Sequence, residues 1–130
     1  MSDGLSAANL ANKWLAWLGG TPETAPSALW VQLHTGSPGA NGTTAVSSTT
    51  TREQVTLGTP ASGSVSESNT PTWPAWAGTN GEVVSDISVW DASTSGAFLF
   101  SAQLSSSKTV NTGDTLELTT LSVSVAPIAA

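Results

Sequence analysis

Two alternating runs constrain this chain most. Over residues 83–90, Val83, Ile87 and Val89 alternate with polar partners, and the run ends at Trp90. Over 98–104, Phe98, Phe100, Ala102 and Leu104 share one parity, with Ser101 and Gln103 on the other. Strand geometry sends successive side chains to opposite faces, so each run reads as a strand with one apolar side. The intervening DASTSG, residues 91–96, is turn-forming, so the pair is predicted to be an antiparallel hairpin. A chain built around it must cover the apolar side with further strands.

Those strands are legible in outline. ALWVQLH, residues 28–34, places Leu29, Val31 and Leu33 on one face and Trp30, Gln32 and His34 on the other. REQVTL, residues 52–57, is a further candidate, as is a short strand near Gly63–Glu67. Residues 111–114 form a turn before a last strand over 115–125. Leu116 and Leu118 share one parity there, and Leu121, Val123 and Val125 share the other; a bulge near Thr119-Thr120 is expected to restore the face. The long polar segment 35–50 is expected to be functional or to form an interface.

The first twenty residues follow another period. Leu10, Trp14, Trp17 and Leu18 fall at i, i+4, i+7 and i+8, one face of a helix. Ser2 or Asp3 supplies a cap and Gly19-Gly20 a stop, so an amphipathic helix is predicted over 3–18. It either packs over the open end of its own sheets or docks on a neighbouring subunit. The expected fold is therefore mainly β: one domain over 1–130, an antiparallel β-sandwich or flattened barrel (the β-rich body at 28–125) behind one N-terminal helix.

Composition narrows the functional classes. Charged residues are 9% of the 130, against about 25% in typical domains. Cysteine is absent, which excludes a disulfide scaffold, a thiol nucleophile and cysteine-ligated metal. A single histidine, His34, excludes a multi-histidine metal site. The net charge is −6, and Lys13, Arg52 and Lys108 are scattered, so no nucleic-acid surface is expected. No apolar run is long enough for a membrane helix, and no phosphate-binding glycine motif occurs, so neither a membrane partner nor a cofactor is expected. The start, with Asp3 and no basic-then-apolar stretch, reads as a cytosolic one without a secretory signal.

Three groups have chemical potential. His34, with any of 20 serines and a nearby acid, could serve a hydrolase; no GxSxG elbow occurs, and a structural histidine is the plainer reading. Glu82, Asp86 and Asp91 could act as paired carboxylates, or simply form the solvated side of the hairpin. Calcium could draw on Asp91 and Asp114, though no calcium-loop pattern occurs. Trp73 and Trp76, in TPTWPAWAG, either stack on a glycan as a carbohydrate-binding or adhesin platform, or cap the sandwich.

Two blocks carry a family resemblance. LWVQLHTGSPGANGTTAV, followed by Arg52 and VTLG, and ISVWDASTSGAFLFSAQL resemble small β-rich virion proteins of siphophages, notably of actinobacteriophages, over residues 5–125. Such proteins are tail-fibre, minor tail or head-decoration subunits. The resemblance implies a non-enzymatic structural protein, assembled in the host cytoplasm and carried on the virion. Its partners would be capsid or tail subunits and further copies of itself. Leu10, Trp14, Trp17 and Leu18, or the 35–50 loop, would make the docking contact.

Overall fold

A computed structural model describes residues 3–126 and residue 129. The chain begins with a π-helical turn, Ala7–Ala11, that runs into helix α1, Asn12–Leu18. Eight strands follow: β1 Leu29–His34, β2 Glu53–Val55, β3 Ser64–Ser66, β4 Thr72–Trp73, β5 Glu82–Trp90, β6 Phe98–Val110, β7 Leu116–Glu117 and β8 Ser122–Ser124. The fold is mainly β and antiparallel. One four-stranded sheet has the order β2-β1-β5-β6, and two two-stranded ladders, β3-β8 and β4-β7, stand apart from it. The β4-β7 ladder packs on the core through Trp73 and Leu116, as part of a broken second layer of a sandwich, and no barrel closes among the described residues.

The predicted hairpin is β5-β6, and its register explains what the period missed. Val31 pairs with Val89 and Leu33 with Ile87, so these four side chains share the core face. Val84 belongs to the same core, yet it lies an odd number of residues from Ile87. A register shift between Val84 and Asp86 accommodates this; Val84 is fully buried and Val83 is left exposed. A second shift, between Val89 and Trp90, makes Leu99 the extra residue and splits the 98–104 run. Phe98 packs on Trp90, at 5.7 Å between ring centroids, while Phe100, Ala102 and Leu104 join the core.

The bulge expected near Thr119-Thr120 is not the device used. The chain leaves the β4-β7 ladder after Glu117 and enters the β3-β8 ladder at Ser122. Leu118 and Leu121, in the irregular stretch between, both turn inward. The parity break is a change of partner strand, which frees the two leucines from one pleat.

The N-terminus departs further from expectation. The helix starts at Ala7 rather than residue 3, because Ser6 caps it by accepting a bond from the Asn9 N–H at 3.2 Å. Residues 4–6 instead extend along β6. The Ser6 N–H donates to the Leu99 carbonyl at 2.7 Å, and the Ser101 N–H donates to the Gly4 carbonyl at 2.9 Å. This short arm covers part of the edge of β6, where unpaired backbone groups would otherwise face water.

Candidate functional site

The helix is where the sequence placed its docking face; the structure leaves Trp14, Trp17 and Leu18 in water and Leu10 half-buried. Trp14 is 41% exposed, Trp17 70% and Leu18 74%; Leu15, which the periodicity did not single out, is 63% exposed. The expectation that this face could pack over the open end of the sheets, with Trp14 and Trp17 as core, is thus corrected. α1 follows the 4–9 arm and lies beside the end of β5 and the start of β6. Leu10, Trp14 and Trp17 line an open cavity of about 560 Å³ between α1, residues 23–27 and the β5-β6 turn. Leu15 and Leu18 look outward.

One face of the sheet is the apolar core; the other is a buried polar layer. Trp30, Gln32 and His34 of β1 pair with Trp90, Ser88 and Asp86 of β5. The 35–50 segment folds over them rather than projecting. The Ser47 N–H donates to the Leu33 carbonyl, the Thr35 N–H to the Ala45 carbonyl, and Pro38, Gly39, Gly42 and Ser47 are buried. Glycine is required at Gly42, whose φ is +71°. A Cβ there would lie 2.5 Å from the Phe98 ring and 2.9 Å from Trp90.

His34 sits at the centre of this layer, with no exposed surface. Its Nδ1 is 2.9 Å from the Thr44 carbonyl, which can only accept, so Nδ1 carries the proton. Nε2 therefore accepts from the Ser88 hydroxyl at 2.7 Å, and Ser88 in turn accepts from the Trp90 indole N–H at 2.8 Å. Burial pushes the His34 pKa below its ordinary value, against the pull of the Thr44 carbonyl and Asp86. The pair has the atoms of a serine–histidine dyad. Ser88, though, is as fully buried as His34 and already saturated, so no substrate reaches it.

The three hairpin carboxylates do not converge. Glu82 accepts from the Ser47 hydroxyl and from the Ser48 N–H at 3.1 Å, pinning the end of the 35–50 segment. Burial opposes its charge, but these bonds outweigh that and hold its pKa below the usual range. Asp86 is 3% exposed and accepts from the Ser85 hydroxyl. Asp91 accepts from the Ala97 N–H at 2.7 Å and closes the hairpin turn. Asp114, the other acid considered for calcium, accepts from the Asn111 N–H within its own turn. Among the described residues, no three His, Asp or Glu side chains group as a metal site.

Arg52 was visible in sequence only as the head of a strand. It lies over the Trp90 ring at 4.0 Å from the centroid. Its Nη1 donates to the Ala92 and Ser95 carbonyls, and its Nε to Gln32 Oε1.

Trp73 and Trp76 are 3% and 2% exposed. Their indole N–H groups donate to the Thr51 and Thr79 carbonyls at 2.9 and 3.1 Å. Neither presents a ring face to water, so the exposed glycan-platform reading is corrected; Pro71, Trp73 and Trp76 fold inward to seal the sandwich.

No curated protein matches the chain. A protein-family model described as "Podophage GP4 fiber I protein gp80" matches residues 5–126. It bears out the tail-fibre part of the resemblance and corrects the phage type, from siphophage to podophage. The match spans all ten elements from the π-helical turn to β8, and on it the chain belongs to the podophage GP4 fiber I protein gp80 family.

Proposed function

We propose that this fibre-family protein is a small accessory subunit of the virion that docks through α1 and carries no catalytic site. The observation supporting this reading is the exposure of Trp14, Leu15, Trp17 and Leu18 on α1. Together these side chains leave on the order of 500 Å² of apolar surface in water, at the upper end of what monomers tolerate. Covering it yields on the order of 10 kcal/mol gross at about 25 cal/mol per Å². Association costs of about 4–15 kcal/mol consume much of that, so one contact is weak and many copies act together.

The rest of the molecule suits a surface role. Hydroxyl side chains, 39 of 130 residues, lose little on desolvation compared with charges. The buried dyad and the dispersed carboxylates leave the docking face as the functional feature. The test is particle composition. Phage assembled with Leu15→Glu/Leu18→Glu in place of the natural chain should lose the protein from purified particles, while the variant keeps its far-UV spectrum and melting temperature. Incorporation at the natural level would sink the reading.

A further inference from the structure

The N-terminal arm meets the sheet through a carboxyl as well as through its backbone. Asp3 stands ahead of the Gly4 and Ser6 bonds to β6. Its side chain meets the Asp86 carboxyl on β5 and accepts from the Ser101 hydroxyl on β6. Ser101 Oγ in turn accepts from the Gly4 N–H at 3.2 Å. Asp86 is 3% exposed and accepts from the Ser85 hydroxyl. Asp3 Oδ1 is buried and, among the described residues, has no hydrogen-bond donor. An oxygen left that way costs about 1–3 kcal/mol, and more if the group is charged.

The surroundings supply no cation. The charged or titratable groups facing Asp3 are Asp86 on β5 and His34 on β1. His34 has both ring nitrogens committed, to the Thr44 carbonyl and to Ser88, so it donates nothing to the acids. By register, Asp86 lies between His34 of β1 and the uncharged Gln103 of β6. A cavity of about 700 Å³ adjoins the arm, between residues 39–43 and 96–98, and Asp3 is the one charged residue in its lining among the described residues. Two carboxyls in contact cannot both be charged at such a place, and a proton on one turns the contact into a hydrogen bond. We propose that Asp3 carries that proton and donates it to Asp86, and that this bond latches residues 3–6 to the sheet. Asp86 then accepts two bonds, from Ser85 and from Asp3, and the contact has its donor. Burial and Asp86 both raise the Asp3 pKa above its ordinary 3.8, against the Ser101 hydroxyl and His34, which agrees with a retained proton.

Loss of the proton undoes the latch. Two carboxylates are then pressed together, and the more weakly held one moves. That one is Asp3. Asp86 lies inside a nine-residue strand paired on both sides, whereas the arm holds by the Ser6–Leu99 and Ser101–Gly4 backbone bonds and the Asn9 side chain on the Phe98 carbonyl. Rising pH therefore peels residues 3–6 from β6, by up to about tenfold per pH unit beyond the titration. A freed arm also frees the seat of α1; that consequence alone rests on the docking role proposed above.

NMR of the full chain between about pH 4 and pH 8 tests the latch. The two readouts are the carbon shift of the Asp3 carboxyl and the heteronuclear NOE of the Leu5 amide, which reports fast backbone motion. The Asp3 carboxyl should titrate above 3.8, and Leu5 should become mobile over the same interval. Asp86→Asn should bring the Asp3 titration down to 3.8 or below. Asp3→Asn puts a permanent amide donor in place of the proton, so Leu5 should stay rigid throughout. If Asp86→Asn does not fold, Asp3→Asn decides alone, because it changes the arm and not the core. Three results would each overturn the proposal: a wild-type Asp3 that titrates at or below 3.8, a Leu5 equally rigid at both ends of the pH range, or an Asp3→Asn arm that still loosens as pH rises. None of these readouts involves particle assembly, so the docking reading of α1 stands or falls separately.

Discussion

Arg52 lies over Trp90, its Cζ 4.0 Å from the ring centroid, and from there its guanidinium holds the β5-β6 turn by the Ala92 and Ser95 carbonyls. One side chain thus joins the start of β2, the end of β5 and the hairpin turn. A lysine keeps the charge but not the planar fork. Arg52→Lys should cost about 1–3 kcal/mol in urea unfolding, combining the lost stacking with the unfilled carbonyls. A loss under a few tenths would show that the stack is incidental.

Gly42 and Gly113 form a matched pair for the 35–50 segment. Both have positive φ, +71° and +88°, so alanine strains the backbone equally. Only at Gly42 does the added methyl meet Phe98 and Trp90; at Gly113 it meets open space. Gly113→Ala should cost about 1 kcal/mol, and Gly42→Ala about 1–3 kcal/mol more from overpacking. Equal melting temperatures for the two variants would refute the close packing of the segment on the sheet.

His34 sets an acid limit. Its folded pKa lies below the ordinary 6.5, because burial disfavours the imidazolium. The unfolded chain therefore binds the proton more readily. The contribution is fully present above pH 6.5 and is lost as pH falls from 6.5 toward the folded value. His34→Gln should abolish that slope, and at pH 8 it should cost about 1–3 kcal/mol for the unpaired Ser88 and Thr44 groups. Denaturant midpoints measured from pH 8 to 5 decide the matter.

Asp3 works in the other direction. Burial raises its carboxyl pKa above the ordinary 3.8; Asp86 adds to this, while Ser101 and His34 oppose it. The folded state then binds the proton more tightly. Stability from Asp3 is greatest at low pH and falls as pH rises from 3.8 through the raised value. Asp3→Asn should slow exchange of the Ser101 amide at pH 7, because that N–H is held by the 4–6 arm. Unchanged exchange would uncouple the carboxyl from the arm.

The tryptophans divide by burial. Trp76→Ala should remove about 3–5 kcal/mol, while Trp17→Ala should leave stability within about 0.5 kcal/mol. Acrylamide should quench Trp17 strongly and Trp76 hardly at all. Matching quenching of the two would contradict the exposed helix.

The sequence by itself determined the mainly β class, the β5-β6 hairpin, the core face of β1 and the apolar content of α1. These follow from local periodicity and turn chemistry, which act over a few residues. Tertiary structure decided the rest. Val83 and Val84 are chemically equal, and only the register shift against β6 chose which is buried. Asp86 reads as part of a solvated face, yet it is buried together with His34 and Ser88 in the layer that the 35–50 segment covers, a contact between residues far apart in the chain. Trp73 and Trp76 turn inward because Thr51 and Thr79 offer their carbonyls there. Trp17 and Leu18 stay outside, on a helix beside the end of β5 and the start of β6. Period fixes which residues share a face; only the assembled layers determine which faces meet water.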